Sequence, residues 1–281
     1  MEILHESSFF RETRAPALPE PEEVRKLNRL SGNDGSTSFD RPPPVIIPSL
    51  GLVVKYGGNV TIAEAQTQVM VYERLNGQVP VPEVYGWAKD GDQRFIYMSL
   101  VEGDQLNTRW SDLSEGERQA VCQELRKMVE AWKAVEQDGD CRYLGCLGKR
   151  PFNEVCLKDY AALVGPFEGV DAVQQFHNVC GIEIHDEIPI HFTHADITPV
   201  NILLGPGPQP KVAAILDWGQ AGWYPMYWEY CKAHRVTLEP EDFDAASQNA
   251  WSERYLPLVV DPVDLEKYYL PWLRFCLSKG F

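Results

Sequence analysis

The first hundred residues alternate short apolar runs with glycine and proline, a pattern typical of strands joined by tight turns. Four of these runs predict strands: Val45–Ile47, Leu52–Tyr56, Val84–Trp87 and Phe95–Leu100. Between the second and the third run, Thr61–Leu75 predicts a helix. Pro21 and Gly32 delimit an earlier helix, because proline favours the first helical turn and glycine the position after the last. The pattern predicts a small β-rich lobe with one main helix and an N-terminal helical extension.

Beyond residue 100 the apolar positions follow helical spacing instead. Ser114 and Glu117 form a capping-box pattern, and apolar residues then recur every three or four positions. Further helices are predicted at Glu239–Tyr255 and from about Val263, the last one interrupted at Pro271. We therefore divide the chain into an N-terminal lobe, residues 1–100, and a mostly helical C-terminal lobe, residues 101–281.

A predicted β-hairpin gathers side chains that suit phosphoryl transfer. Its strands are Asn201–Leu204 and Lys211–Leu216, joined by a turn rich in glycine and proline. Because a hairpin returns its two ends to the same place, Asn201 and Asp217 are expected to lie together, with Asp196 on the preceding loop. Transfer from a magnesium-bound nucleotide needs one carboxylate to orient the attacking hydroxyl, and an amide oxygen and a second carboxylate to hold the metal.

The pattern HxDxxxxN at residues 194–201, followed by Ile215–Trp218, resembles the aminoglycoside phosphotransferase and choline kinase family, which has the protein-kinase fold. The amino-acid sequence of residues 217–233 is similar to that of the family members found in filamentous fungi. The resemblance extends over roughly Pro44–Ala233. It implies an α+β, two-lobed, protein-kinase-like fold, with the hairpin in the larger, helical lobe.

The resemblance implies roles for four residues around the hairpin. Asp196 is the candidate general base, or at least the carboxylate that aligns the acceptor hydroxyl. Asn201 and Asp217 are the candidate magnesium ligands. His194 is the second catalytic candidate, and an orienting hydrogen-bond partner of the loop is the role we favour for it. The structural alternatives are that Asp196 caps its own backbone in a loop, that Asn201 is a turn residue, and that Asp217 caps a helix.

On the nucleotide side, Lys55 ends a strand as the family's phosphate-binding lysine does. Glu64 resembles its acidic partner on the following helix, although counting back from Pro80–Val84 in shorter relatives points to Gln68. We choose Glu64, because Gln68 supplies no charge. The segment around Ser99 and Val101 resembles the hinge whose backbone binds the adenine edge. The alternatives are that Lys55 and Glu64 lie on a solvent-exposed face without a function, and that the hinge segment is an ordinary strand end.

One element of the family pattern is missing from the sequence. The family covers the nucleotide phosphates with a glycine-containing turn between its first two strands. Here the corresponding region offers only the loop Ser31–Gly35 and then Pro42–Pro44, with no clear first strand. We therefore expect the phosphate-covering element to be shortened or rebuilt.

Composition narrows the classes of partner. The chain has 281 residues, 44% of them hydrophobic, and a formal net charge of −15. An acidic protein repels polyphosphate, which argues against nucleic acid as a partner. The negative charge suits a cationic acceptor, but it suits solubility equally well.

Cysteine usage and hydropathy indicate a cytoplasmic protein. The seven cysteines are odd in number and lack CxxC spacing, so neither a disulfide framework nor a zinc site is expected. No apolar run reaches the ~20 residues of a membrane span, and the N-terminus lacks the basic start of a signal peptide.

Three functions remain in competition. The first is an ATP- and Mg²⁺-dependent phosphotransferase acting on a hydroxyl of a small molecule. The second is a catalytically silent kinase-like binding module. The third is the same fold used for other chemistry on a natural-product intermediate, because a fold does not fix a function. The four retained polar residues Lys55, Asp196, Asn201 and Asp217 favour the first, and the missing glycine turn favours the second.

Overall fold

The computed structural model describes residues 1–139 and 141–281. The N-terminal lobe contains a five-stranded antiparallel sheet of order β1-β4-β5-β3-β2. Its strands are β1 Glu2–Ile3, β2 Val45–Ile47, β3 Leu52–Gly57, β4 Val84–Asp90 and β5 Gln93–Ser99. Its helices are α1 Ser8–Arg11, α2 Pro21–Ser31 and α3 Ile62–Arg74. The predicted hairpin, the predicted strands and both predicted helices are therefore present, with bounds shifted by a few residues at most.

The two faces of this sheet have different neighbours, because side chains alternate along a strand. Leu52, Val54 and Tyr56 belong to a core cluster with Phe9 and Val24 of the N-terminal extension. Val53 packs with the other face, where α3 contributes its own apolar residues to a second cluster. Lys55 shares the face of Val53. The N-terminal extension therefore covers the back of the sheet, away from Lys55.

The sheet edge at β2 explains the missing glycine turn. Strand β2 pairs only with β3, and no further strand lies beside it in the described part of the chain. No strand is predicted before Val45, yet the structure has one there: β1 pairs with β4 at the opposite edge of the sheet. The segment before β2 instead bonds to the end of β3, where Gly58 N donates to Phe39 O at 3.0 Å. The phosphate-covering hairpin of the family pattern is thus absent from residues 1–47.

The C-terminal lobe is mostly helical. Its helices are α4 Leu106–Arg109, α5 Glu115–Lys133, α6 Ala172–Cys180, α7 Trp228–Arg235, α8 Ala245–Ala250, α9 Leu256–Val259 and α10 Leu270–Ser278. Its strands are β6 Asp104–Gln105, β7 Tyr143–Leu144, β8 Phe167–Glu168, β9 Ile190–Thr193, β10 Ile202–Leu204, β11 Val212–Ile215 and β12 Gly222–Pro225. Among the helices of the residues that the structure describes, none combines the length and the apolar character that crossing a bilayer requires.

Two predicted helices of this lobe begin differently from the prediction. The helix expected from Glu239 starts only at Ala245, because the Asp244 side chain accepts hydrogen bonds from the first free amides of α8. The closing helix opens with a π-helical turn, Leu265–Tyr269, and continues as α10. Pro271 is the second residue of α10, directly after the π-helical turn, so the predicted interruption is a change from π-helical to α-helical winding and not a break.

Helix α5 is the central support of the lobe. Ser114 and Glu117 form the predicted capping box at its start. Its apolar face is buried in the largest core cluster, which also contains residues of β10 and β11. At its end the indole of Trp132 meets that of Trp218 edge to face, with ring centroids 5.6 Å apart. This contact holds the turn after β11 against the core.

Candidate active site

The β10–β11 hairpin brings the predicted metal ligands to one place. The two strands pair antiparallel with Ile202 opposite Ile215. Beyond this pair, Leu216 N donates to Asn201 O at 2.8 Å, so the ladder continues to the open end of the hairpin. Asn201 and Asp217 therefore flank the same end, as the sequence pattern predicts.

The loop before the hairpin is held in a strained shape by Glu229 on α7. Ala195 has φ +62°, a left-handed conformation that costs a non-glycine residue about 1 kcal/mol or more. The buried Glu229 carboxylate accepts hydrogen bonds from His194 N at 2.8 Å and from Ala195 N at 2.9 Å. Glu229 therefore anchors α7 to the loop that carries Asp196.

His194 is fully buried and links the two halves of the hairpin site. Its Nδ1 accepts from Asp196 N at 3.1 Å, and its Nε2 donates to Leu216 O at 2.9 Å. Burial lowers the pKa of this imidazole to about 4, so the ring is neutral near pH 7. Because both ring nitrogens are occupied by backbone groups, the geometry suits an orienting role for His194 and not proton transfer.

Asp196 and Asn201 form a hydrogen-bonded pair at the mouth of the site. Asn201 Nδ2 donates to the backbone oxygen of Asp196 at 2.9 Å and to its Oδ2 at 3.1 Å. This orientation leaves the amide oxygen of Asn201 turned away from Asp196 and open to another partner. Burial raises the pKa of Asp196 above its usual value. A carboxylate with a raised pKa is a stronger proton acceptor.

Lys55 joins the two lobes across the cleft. Its Nζ lies 2.6 Å from Glu64 Oε1 on α3 and 2.8 Å from Asp217 Oδ1. Burial opposes the charge of Lys55, but the two carboxylates outweigh it and raise the pKa of the ammonium. At Asp217 burial is likewise outweighed by Lys55, which lowers the pKa of that carboxyl. The cation therefore stays charged between two acidic groups.

The structure separates the two candidates for the partner of Lys55. Glu64 lies in the first turn of α3, which Thr61 caps by accepting from Glu64 N at 3.2 Å. Gln68, one turn later, points into the core and donates to Pro82 O at 2.7 Å. Glu64 and not Gln68 thus faces Lys55.

Two backbone features bring Asp217 close to Lys55 and Glu64. Asp217 itself adopts φ +61°, which turns its carboxylate out of the hairpin. The following turn carries Gly219, where an added Cβ would lie 3.0 Å from Glu64 Oε2 and 3.2 Å from Asp217 Oδ1. A larger residue at this position would crowd the carboxylates, so glycine permits their close approach.

Of residues 99–101 of the hinge segment, one has an uncommitted backbone donor. Ser99 N donates to Glu83 O at 2.8 Å, and Leu100 N donates to Gly51 O at 2.9 Å. Neither N–H is therefore available to a ligand. Within the part of the chain that the structure describes, the N–H of Val101 has no hydrogen-bond acceptor. Of the two predicted hinge residues, only Val101 presents a backbone donor.

Ile46 is a cleft residue that the sequence reasoning missed. It pairs with Val53, so its side chain stands on the face of the sheet that carries Lys55. Ile46 is 59% exposed, whereas its neighbour Val45 is buried on the opposite face. The run Val45–Ile47 is entirely apolar and therefore predicts a strand buried on both faces. The pattern thus gives no sign that Ile46 is exposed and Val45 is buried. The bare edge of the sheet is what leaves Ile46 open.

The oxygen donors fit a metal ion that brings its other ligands with it. Among the described residues, no group of three or more His, Cys, Asp or Glu side chains could hold a metal ion alone. Mg²⁺ commonly uses one or two protein oxygens and completes its shell with water and phosphate. The open amide oxygen of Asn201 and the Asp217 carboxylate match that requirement.

Comparisons with known proteins place these observations in a family. No protein of curated function matches the chain. Two solved structures share its fold: an aminoglycoside-3′-phosphotransferase of type VIII, and a GDP complex of wild-type aminoglycoside 2′-phosphotransferase-IIIa. The first is 18% identical with a TM-score of 0.51, over 82% of this chain and 85% of the other. The second is 12% identical with a TM-score of 0.51, over 86% of this chain and 80% of the other.

These likenesses confirm the predicted two-lobed, protein-kinase-like fold. A family profile described as the phosphotransferase enzyme family matches residues 53–263, well over half of the chain. The match begins within β3, so the N-terminal extension and the bare strand β2 lie outside it. The chain belongs to this phosphotransferase enzyme family.

Proposed function

We propose that the protein transfers the terminal phosphoryl group of a magnesium-bound nucleoside triphosphate, ATP, to a hydroxyl of a small molecule. The observation that carries the proposal is a continuous set of contacts through the cleft. Lys55 bonds Asp217 at 2.8 Å, His194 bonds Leu216 at 2.9 Å, and Asn201 bonds Asp196 at 3.1 Å. One cation, two acids and one amide are thereby held around one space, as phosphoryl transfer requires.

The nucleotide would lie between the sheet and the hairpin. The ammonium of Lys55 would bind its phosphates as a point charge, with Glu64 holding the lysine in place. The base would rest on the exposed side chain of Ile46 and the half-buried Val53, near the open N–H of Val101. The 2′-phosphotransferase cited above was solved with GDP, so both ATP and GTP belong in any binding test.

Mg²⁺ would be held by the amide oxygen of Asn201 and the carboxylate of Asp217, and when bound it would neutralise phosphate charge. Asp196 would then act on the acceptor. Its carboxylate would accept the hydrogen bond of the substrate hydroxyl, orient the oxygen, and take up the proton as the new P–O bond forms and the bond from the γ-phosphorus to the bridging oxygen breaks, which leaves ADP. Burial of Asp196 favours this step, because it makes the carboxylate more basic. The strained loop held by Glu229 fixes the direction of that carboxylate.

The bare edge of β2 favours a second candidate function, a binding module without turnover. With no strand beside β2, no glycine turn covers the phosphates in residues 1–47. Thermal unfolding distinguishes the two candidates. A nucleotide that binds only the native state raises the melting temperature, and about 100 Kd of ligand adds about 2.7 kcal/mol. No shift with ATP or GTP at millimolar concentration, with and without Mg²⁺, would favour the binding module without turnover over the kinase.

Turnover is tested by a screen of hydroxyl-bearing small molecules that follows ATP consumption, with Asp196→Asn as the matched control. Asparagine keeps the size of the side chain and removes its basicity. We expect turnover to fall by about 100- to 10,000-fold, the range supplied by a positioned proton acceptor, with the nucleotide-induced thermal shift unchanged. Turnover of the variant within a few-fold of the wild type would remove Asp196 from the mechanism.

A further inference from the structure

A buried ion pair lies beside the proposed active site and has no role in the chemistry described so far. Lys232 on α7 is 6% exposed and Glu154 is fully buried. The Nζ of Lys232 lies 2.7 Å from both carboxylate oxygens of Glu154 and 2.5 Å from Oε1 of Gln220. These three acceptors use all three donors of an ammonium group. The cluster is therefore complete without a ligand.

The three members come from three elements that meet below the cleft. Gln220 ends the short turn Trp218–Gln220, directly after Asp217. Lys232 follows Glu229 by three positions on α7, so both project from one side of that helix. Glu229 holds the loop of Asp196, and Lys232 holds the turn after Asp217. Helix α7 thus contacts both acidic arms of the site.

The third element is the segment Asn153–Val155, which is docked on the same turn. Asn153 Nδ2 donates to Gly219 O at 2.8 Å, and Val155 N donates to Gln220 Oε1 at 3.0 Å. Glu154 lies between these two contacts and receives Lys232. The side-chain amide oxygen of Gln220 therefore joins the segment to Lys232. Any movement of residues 153–155 must displace the turn that follows the proposed metal ligand.

Electrostatics tie the cluster to Asp196 as well. Burial opposes the charge of Lys232, and the carboxylates of Glu154 and Asp196 together raise the pKa of its ammonium. The ammonium in turn acts on Asp196 in the direction opposite to burial. Lys232 is thus a fixed positive charge within range of the proposed proton acceptor.

A gain in stability does not by itself account for an ion pair that is buried this deeply. Replacing a buried ion pair by apolar residues of similar volume is often neutral or stabilising, because desolvation offsets the attraction. In some proteins a buried ion pair with defined hydrogen bonds restricts the groups around it to a single arrangement. Here the groups around it are the turn after Asp217 and the segment 153–155.

We propose that Lys232 is a positioning residue: through Glu154 and Gln220 it fixes segment 153–155 against the turn after Asp217, and so holds this proposed metal ligand in place relative to Asp196. The proposal rests on the proposed phosphotransferase function. A misplacement of reacting groups by about 1 Å can cost about 100-fold in rate, so loss of this clamp should reduce kcat. The affinity for nucleotide should change much less than kcat, because Lys55, which would bind the phosphates, is held directly by Glu64 and Asp217.

The main test removes both charges together with Glu154→Leu/Lys232→Met, so that no unpaired buried charge remains. We expect the double variant to keep the wild-type melting temperature within a few degrees. With Mg·ATP and water as the phosphoryl acceptor, we expect kcat to fall by about 10- to 100-fold and KM for Mg·ATP to stay within two-fold. Lys149→Met, which removes a lysine from the exposed Lys149–Glu168 pair, is the matched control and should change neither constant.

Gln220→Ala tests the same clamp in a second way, because it leaves the ion pair intact and cuts only the bridge. We expect a fall in kcat of about ten-fold and faster hydrogen exchange at the amide of Val155, the donor to Gln220. Arginine at position 232 offers a conservative comparison, since Lys232→Arg retains the charge and should recover part of the kcat lost in the double variant.

The outcomes separate this proposal from the proposed function. If the wild type neither binds nor hydrolyses Mg·ATP, the proposed function fails. The exchange rate of Val155 then still decides whether Gln220 and Lys232 hold the segment. A folded double variant with wild-type kcat, or unchanged exchange at Val155 in Gln220→Ala, would overturn the positioning role.

Discussion

On the C-terminal side of the cleft, the polar groups are held by several partners each. His194 has two backbone partners, Glu229 accepts hydrogen bonds from two backbone amides, and Lys232 binds three oxygens. On the N-terminal side only Lys55 is held in this way, by Glu64 and Asp217. The adjoining strand β2 has a free edge and an exposed isoleucine. The two sides of one site therefore differ in how rigidly they are built.

The difference has a simple physical consequence. Groups that move a proton or hold a metal must be aligned within a fraction of an ångström, which requires buried, hydrogen-bonded supports. A nucleotide carries its own charges and its own flat apolar base, so an open surface with one lysine can bind it. We therefore expect substitutions on the C-terminal side to affect kcat and those on the sheet edge to affect KM.

The largest effect is expected at Lys55, which contacts Glu64 on the N-terminal side and Asp217 on the C-terminal side. In Lys55→Met, Glu64 and Asp217 lose their shared cation and repel each other, so both nucleotide binding and transfer suffer. We expect kcat/KM to fall by about 100-fold or more, the usual loss for an electrostatic donor in an active site. Lys211→Met, at an exposed position beyond the hairpin turn, is the control and should leave the ratio unchanged. A loss in the Lys55 variant below five-fold would detach Lys55 from catalysis.

A smaller effect concerns the stability of the C-terminal side. His194 is neutral in the folded protein with a pKa of about 4, while an unfolded histidine titrates near 6.5. Its contribution is therefore complete above pH 6.5 and is lost as the pH falls towards 4, because only the unfolded chain takes up the proton. Between pH 7.5 and pH 4.5 this amounts to about 2 to 3 kcal/mol.

The comparison variant for this titration is His194→Gln, whose amide can replace both hydrogen bonds without titrating. Glu229, with a pKa that burial raises to about 7, titrates in the opposite sense in both proteins and cancels in their difference. Urea unfolding at the two pH values should show the wild type losing stability relative to the variant. Parallel pH profiles would mean that His194 is not held neutral by burial.

The smallest effect concerns the sheet edge. Ile46→Asn places an amide where the base of the nucleotide is proposed to rest, and we expect KM for ATP to rise by about ten-fold, or about 1.4 kcal/mol. Because Ile46 is 59% exposed, the melting temperature should hardly change. Leu30→Asn, at a 74% exposed position on α2, removes a similar apolar surface on the back of the sheet. Equal KM values for the two variants would place the base elsewhere.

The amino-acid sequence by itself determined much of this protein. The hairpin and its acids follow from a pattern of strand residues around a proline-rich turn, and the capped helix α5 from the spacing of Ser114 and Glu117. These are local signals, because each depends on residues a few positions apart. The family resemblance came from the same local segments, and the fold and the family that it implied are confirmed.

Only the tertiary structure decided the features that depend on distant residues meeting. The strand that completes the sheet comes from the N-terminus and joins the opposite edge. The sequence favoured Glu64 over Gln68 by charge alone, whereas the contact of Glu64 with Lys55 depends on which way α3 faces. The clamp of Lys232 joins residues 78 positions apart. Sequence patterns carry no signal for such pairs, because burial and hydrogen bonding between distant segments arise only when the chain packs. The exposure of Ile46 is likewise set by tertiary structure, because within the described residues no strand pairs with the outer edge of β2.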